Sequence, residues 1–283
     1  MTTLLTGGAG RLGYWTAHQL TKTGRRVKVY DLPDVNWSHI ESLPGTSIYK
    51  GDITDPESVE KACRGIEAVV HLAAVLPPVS EASRELTQRV NVQGTLNILE
   101  ASHPDVPIVF ASSISTYGVT HQETPPIKET HPQKAHNNYS ESKIMAEEAV
   151  LASGRPYTIL RLAPISVADV LELPDEIAYR ADQRVEFILV ENAAQAIVGC
   201  LDEWPVEAVY NVAGGPSWQM RGEDYLTRFY GALGVEVEPV YPKSYTAVDW
   251  YDTSRSRHLS YQRTSFNMFE DRLVALGEEL GLR

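Results

Sequence analysis

The segment Leu4-Leu-Thr-Gly-Gly-Ala-Gly-Arg-Leu-Gly13 constrains the fold of this chain more than any other. Two apolar residues run directly into spaced glycines, and a helical pattern of Leu12, Trp15 and Leu20 follows, ending near Gly24. Strand, glycine loop and helix in this order are the context in which a glycine motif becomes a dinucleotide site. The glycines let the backbone turn tightly and approach a pyrophosphate, which the free N–H groups and positive dipole end of the helix attract. Gly8, Gly10 and Gly13 fit G-x-G-x-x-G, whereas Gly7, Gly10 and Gly13 fit G-x-x-G-x-x-G, and the residues alone leave both spacings open. A second strand, Arg26-Val-Lys-Val-Tyr30, closes on Asp31, 18 residues after Gly13. A ribose-binding carboxylate belongs there; it accepts from both ribose hydroxyls and repels a 2′-phosphate, so NAD is expected rather than NADP. The bland alternative for Asp31 is a turn residue at a strand end. Arg11 faces either the pyrophosphate or solvent.

A second signature is Tyr139-Ser-Glu-Ser-Lys143. A phenol and an ammonium four residues apart share one face of a helix. The cation favours the phenolate, so the tyrosine pKa is expected to fall towards neutrality, and such a tyrosine passes a proton to or from a substrate hydroxyl. Upstream, Ile108-Val-Phe110 is expected to be a strand that delivers Ser112, Ser113 and Ser115 to its carboxyl end, the edge at which open α/β sheets bind ligands.

Periodicity extends this pattern along the chain. Strands are expected at 2–6, 26–30, 46–49, 67–72, 107–112, 157–162 and 208–212, and helices at 11–23, 56–63, 81–102, 139–153 and 191–202. The alternation predicts an α/β fold, a Rossmann-type doubly wound parallel sheet. Residues 1–164, with a strand and helix return at 187–213, form the NAD-binding part; 165–186 and 214–283 form a small C-terminal substrate-binding region. The formal charge of −12 supplies no basic patch, which argues against nucleic acid as a partner. No membrane span or signal peptide is expected, and the chain reads as cytoplasmic. Cys63 and Cys200 are expected as reduced, semi-buried thiols, and the eight histidines show no metal-ligand spacing. His136 is a candidate substrate contact.

These motifs together resemble the extended short-chain dehydrogenase/reductases, the NAD-dependent epimerase/dehydratase family. The matching residues are Thr6–Gly13, Asp31, Gly51–Asp55, His71-Leu-Ala-Ala74, Asn91–Thr95, Ser112-Ser113 to Tyr117-Gly118, and Tyr139 to Lys143, with weaker likeness at 187–213 and at Tyr251–Arg257. The resemblance implies that Tyr139 is the acid/base, that Lys143 lowers its pKa and holds the nicotinamide ribose, and that Ser113 bonds the reacting oxygen. It implies that Gly7, Gly10, Arg11, Leu12, Gly13 and Asp31 hold the dinucleotide. Asp52 and Ile53 would border the adenine, Leu72, Ala73 and Ala74 would line the cofactor channel, and Ala163 would flank the nicotinamide. Asn91 would be mainly structural. It also implies a homodimer through the helices near 81–102 and 139–153.

The chain departs from that family's nucleotide-sugar enzymes in one place. They usually carry a long insertion after the strand holding Arg161, part of which grips the nucleotide diphosphate. Here 26 positions separate Arg161 from Phe187, and the intervening piece is acidic, with no phosphate-gripping cluster. Sugar dehydratases typically have Thr-Asp-Glu where this chain has Ser113-Ile114-Ser115, and decarboxylases a glutamate at Ser115. Simple hydride transfer at a secondary alcohol or ketone of a sugar, sugar acid or similar small molecule is therefore expected, used once by an oxidoreductase. The alternatives are an NAD-retaining sugar 4-epimerase and, from another class, a non-catalytic dinucleotide sensor. Trp218, Tyr225, Tyr245, Trp250 and Tyr251 are candidates for either a sugar platform or core. Arg180, Arg184 and Arg221 are candidates for either a substrate carboxylate or solvated surface.

Overall fold

Parallel neighbours require crossover connections, and the crossover helices bury both faces of the sheet, so its strands are apolar on both sides. The computed structural model, described here for residues 1–169, 177–202 and 207–283, has this architecture. Its strands are β1 (Thr2–Thr6), β2 (Arg26–Asp31), β3 (Thr46–Lys50), β4 (Ala68–His71), β5 (Ile108–Ser113), β6 (Tyr157–Leu162), β7 (Ile165–Ser166), β8 (Arg184–Glu186), β9 (Ile188–Leu189), β10 (Ala208–Val212) and β11 (Gln219–Arg221). Seven make one sheet in the order β10-β6-β5-β4-β1-β2-β3, all parallel. The helices are α1 (Arg11–Lys22), α2 (Ser38–Glu41), α3 (Pro56–Cys63), α4 (Val79–Ala82), α5 (Arg84–Thr87), α6 (Gly94–Ala101), α7 (Asn138–Ala152), α8 (Val190–Asp202), α9 (Gly222–Leu233) and α10 (Phe266–Glu279).

Alternate strand residues build two cores. Leu5, Val70, Val109 and Leu160 point to the α1 and α8 side, while Leu4, Val69, Ile108, Phe110 and Ile159 point to the α3, α6 and α7 side. Each such side chain, wholly removed from water, contributes about 1.5–3 kcal/mol. A third cluster of Trp218, Tyr225, Phe229, Phe266, Phe269 and Leu273 packs α9 against α10. The strand order reverses beside β1, which carries the glycine loop at its end. This is the switch point where open sheets leave a crevice.

The expected strands and helices are present within a few residues, with one correction. The helix expected at 81–102 is interrupted. Ser83 is extended and its hydroxyl accepts from Leu86 N–H, so α4 ends and α5 starts afresh. Residues Gln88–Gln93 then form a π-helical turn leading into α6. A hydroxyl that competes for backbone donors explains the break, and the apolar periodicity did not register it. Ile98 and Leu99, within the stretch expected to pair two copies, are buried against the sheet. Part of the acidic piece after Arg161, residues 170–176, lies outside the described residues. Cys63 and Cys200 are buried and form no disulfide.

The glycine loop is held by close packing. Gly7 has φ +67°, and a Cβ there would meet Ala73 N at 2.7 Å. A Cβ on Gly13 would strike the Gly7 carbonyl and Gly8. Gly8 is as tightly held, against Val29, whereas a Cβ on Gly10 would meet only the Gly7 carbonyl at 3.4 Å, so packing demands glycine at 7, 8 and 13 and does not choose between the two spacings. Replacing Gly13 with Ala should push α1 off the loop, lowering stability by about 1–3 kcal/mol and weakening dinucleotide binding; thermal denaturation with and without NAD measures both.

Candidate active site

The crevice begins where β1 enters α1. No side chain caps the N-terminus of α1, so its first amides face the loop without a competing acceptor. Asp31, at the end of β2, accepts Ala9 N–H at 3.0 Å on one oxygen and Leu32 N–H at 2.9 Å on the other. Each oxygen keeps a lone pair for a further donor. An open helix terminus beside an anchored carboxylate fits the pyrophosphate and diol of a dinucleotide. Arg11 is largely exposed and lies 3.9 Å from Asp169. Asp52 is exposed and accepts Thr54 N–H, and Ile53 beside it is buried, its carbonyl taken by Asn97.

Behind the loop runs a buried polar chain that sequence reasoning did not find. Thr95 Oγ1 donates to the Asn91 carbonyl at 2.6 Å, so it must accept from His71 Nε2 at 2.9 Å. His71 Nδ1 is then the acceptor for Thr6 Oγ1 at 2.6 Å, and Thr6 Oγ1 in turn accepts Ala73 N–H at 3.2 Å. This chain fixes Leu72, Ala73 and Ala74, half-buried at the end of β4, against β1. Asn91 grips the next residue, accepting Val75 N–H at 2.7 Å and donating to Val75 O, and it also bonds Ser142 on α7. Asn91 thus touches protein on every side. Burial pushes the His71 imidazole down to about 3, with Lys143 nearby acting in the same sense.

The second signature converges at the end of β5. The Asn137–Ser140 capping box starts α7, and the Glu81 carboxylate accepts from Asn138 N–H at 3.0 Å and Tyr139 N–H at 3.1 Å. An anion at a helix N-terminus is stabilising, and it anchors the residue that carries the phenol. The Ser113 hydroxyl accepts Ser115 N–H at 3.1 Å and lies beside the Tyr139 phenol, where it favours the phenolate. Lys143 is 3% exposed and donates to the Ala111 carbonyl at 2.8 Å. Its ammonium stands 5.9 Å from the centre of the Tyr139 ring. Ser112 is buried and turned away, donating to Glu147, while burial lowers the His136 imidazole below its ordinary value. Ala163 is buried beyond β6, with its N–H on Val212 O.

One expectation needs correction here. The sequence spacing predicts a phenol drawn down by the neighbouring ammonium. In the structure burial dominates and pushes Tyr139 up to about 12, with the Ser113 hydrogen bond opposing it. Lys143 is itself lowered to about 8 by the same loss of water. A helical spacing reports that two groups share a face; it does not report how dry that face is.

Beneath these groups lies a buried ionic network. Glu147, one turn beyond Lys143, takes Arg161 Nη2 at 2.7 Å and Gln133 Nε2 at 2.9 Å. Arg161 also donates to Tyr117 OH at 3.0 Å, and Tyr117 OH donates to Asn211 at 2.6 Å. The spacing Tyr139, Lys143, Glu147 was the sequence signal for this residue.

The C-terminal half packs on the loop after β5 through a second ion pair. Arg184 clamps Asp249 at 2.5 and 2.9 Å and reaches the carbonyls of His121 and Glu123. A cavity of about 460 Å³ beside it is lined by His121, Asp182, Arg221 and Tyr245 among others. Arg180 is committed to Asp182, and Arg221 lies over Trp250 and donates to the Asp182 carbonyl. Trp218, Tyr225 and Tyr251 are buried core, whereas Tyr245 and Trp250 are half-buried, Tyr245 lining the cavity. No helix among the described residues is long and apolar enough to cross a membrane.

Fold and crevice together define a Rossmann-type dinucleotide protein with a tyrosine–lysine helix. The model of the NAD dependent epimerase/dehydratase family matches residues 3–166, and the chain belongs to that family, whose cofactor is NAD. The UDP-glucose 4-epimerase of Lactobacillus helveticus is 36% identical over 172 residues, 57% of this chain and 51% of the relative. Short-chain dehydrogenase/reductase family 42E member 1 of Danio rerio is 30% identical over 224 residues, 68% of this chain and 56% of the relative. The chain spans about half the length of the curated relatives it matches. The fold is shared with the UDP-glucose 4-epimerase of Thermotoga maritima (TM-score 0.84, 21% identity, 99% of both chains). It is shared also with a dTDP-glucose 4,6-dehydratase of Streptomyces venezuelae (TM-score 0.85, 22% identity, 100% of both).

The His71 chain predicts a pH response. Folded His71 stays neutral to about pH 3, whereas in the unfolded chain it protonates near the ordinary histidine value of 6.5. The unfolded state therefore binds the extra proton between those values, and this contribution to stability is present above pH 6.5 and lost as pH falls. Ring-nitrogen NMR should show a single Nε2–H tautomer for His71 with no titration between pH 8 and pH 5.

Proposed function

We propose that this chain is an NAD-dependent oxidoreductase acting at a secondary alcohol or ketone of a sugar, sugar acid or similar small molecule. The observation that carries the reading is the convergence of Ser113 and Tyr139 at the sheet edge, with the Lys143 ammonium buried 5.9 Å from the phenol ring centre. NAD, when bound, accepts or supplies the hydride. The glycine loop with Arg11 and Leu12, together with Asp31, Asp52, Ile53, Leu72, Ala73, Ala74 and Ala163, would form its cradle. Tyr139 exchanges the hydroxyl proton with the substrate, and Ser113 holds the reacting oxygen and aligns it with the phenol. Lys143 supplies positive charge that stabilises developing negative charge on the phenol and substrate oxygens. In this reading the free site stores its proton on Tyr139, so reduction draws on a ready donor at neutral pH, and oxidation becomes easier as pH rises. Residues 177–186 and 214–283 would bind the rest of the substrate, with the cavity at Arg221 as its polar end. Two copies would pair through α7 and the α5–α6 segment, where Met145 and Leu151 are exposed.

The second reading is a sugar 4-epimerase that retains NAD through two hydride transfers, which the named epimerase relatives favour. The short piece after Arg161 weighs against a nucleotide-sugar substrate, and the oxidoreductase reading keeps precedence on that ground.

Replacing Tyr139 with Phe should lower turnover by roughly 10²–10⁴-fold while NAD still binds; turnover that survives the change would remove the proposed acid/base and favour a sensor. Denaturing freshly purified protein and quantifying NAD(H) separates the two readings. The oxidoreductase should arrive largely empty, bind added NAD reversibly and form no epimer from a UDP-hexose. Near-stoichiometric cofactor with epimer formation would install the epimerase instead.

A further inference from the structure

Tyr139, Lys143 and Glu147 lie at successive turns along one side of α7. Glu147 is fully buried, yet no part of the reaction proposed above uses it. Its carboxylate receives Arg161 Nη2 at 2.7 Å, Arg161 Nε at 3.1 Å, Gln133 Nε2 at 2.9 Å and the Ser112 hydroxyl. Ser112 is the neighbour of Ser113, and the next residue back, Ala111, offers the carbonyl that holds Lys143. One carboxylate is therefore tied to the end of β5, to β6 and to the loop before α7, one turn from the buried ammonium.

We propose that Glu147 is a positioning residue of this site: it keeps Lys143 in the ammonium form and fixes the end of β5 so that Ser113 meets Tyr139. The inference rests on the roles assigned above to Ser113, Tyr139 and Lys143. Few charged or titratable groups face Lys143. Its own helix presents Tyr139, uncharged at neutral pH, and Glu147. β4 presents His71, held neutral, and β5 presents the Phe110 ring at 5.0 Å and the Ala111 carbonyl. β6 presents Arg161, paired with Glu147, and the π-helical turn presents Asn91, bonded to Ser142 on the same helix. Among the described residues Glu147 is the anion that opposes the desolvation of Lys143, and desolvation already brings that ammonium down to about 8. Without Glu147 the balance tips towards the neutral amine. Arg161 tempers Glu147, so removing Arg161 tips it the other way. A purely mechanical clamp gives no reason for these two changes to have opposite signs.

The test is made on the full chain without cofactor. Protein labelled with ¹³C-lysine is titrated by NMR, and the Lys143 Cε signal is assigned by its loss in Lys143→Arg. The wild-type midpoint is expected at about 8. Glu147→Gln should move it down by ~1 pH unit or more, and Arg161→Met should move it up. Where activity is measured, the alkaline limb of kcat/KM should shift with the midpoint, which a structural role alone would not produce. If Glu147→Gln fails to fold, the double variant Glu147→Gln/Arg161→Met, compared with Arg161→Met, carries the same sign test with both charges removed together. Midpoints that stay at the wild-type value, or that move in the same direction in both variants, overturn the proposal. A midpoint that moves as stated while Tyr139→Phe leaves turnover intact overturns the catalytic reading instead, and leaves the electrostatic role of Glu147 standing.

Discussion

Docking α7 onto the end of β5 requires two charged side chains, Lys143 and Glu147, to leave water, and the shape of the site follows from how they are satisfied. An unpaired buried charge is strongly destabilising. The ammonium is met by a strand carbonyl at 2.8 Å and the carboxylate by a guanidinium, an amide and a hydroxyl. Each partner sits on a different element, so β5, β6, the loop before α7 and α7 itself share one set of bonds. Ser113 and Tyr139 are carried by two of the elements so joined, β5 and α7. Order at this strand end is therefore a consequence of burying charge next to it, and an exposed helix face would lack it.

The dinucleotide side is organised by a different constraint, close backbone approach. Gly7 lies against Ala73, and Gly13 against Gly7 and Gly8, leaving no room for a side chain. The neutral His71 passes hydrogen bonds between β1, β4 and the π-helical turn without introducing a charge. Asn91 completes the link by bonding Val75 on one side and Ser142 on α7 on the other. The two halves of the crevice are in this way mechanically joined through uncharged polar groups, which costs less than carrying ions across the same dry interior.

How much of this was legible in the sequence depended on the range of the interaction. The glycine loop, Asp31, the alternation of strands and helices and the Tyr139–Lys143 face follow from local periodicity and spacing, because turns and helices are specified over a few residues. The break at Ser83 was missed because a single hydroxyl overrode an apolar pattern. The Thr6–His71–Thr95 chain, the Glu147–Arg161 pair and the Arg184–Asp249 clamp join residues from 14 to 65 positions apart. No local pattern announces such partners. The depression expected for the tyrosine failed for the same reason: spacing locates the cation, while burial by distant elements sets the dielectric in which it acts.

That dryness has a consequence for the direction of proton flow. A phenol pushed up to about 12 and an ammonium lowered to about 8 are both shifted towards their neutral forms. Any ligand that brings positive charge or hydrogen-bond donors to the Tyr139 oxygen would lower the cost of the phenolate, and any that brings negative charge near Lys143 would restore the ammonium. Both shifts thus favour a proton on Tyr139, and charge arriving with bound ligands is what would release it. Glu147 limits how far Lys143 can drift from its charged form while the crevice waits, and so it sets the pH above which such a site would cease to respond.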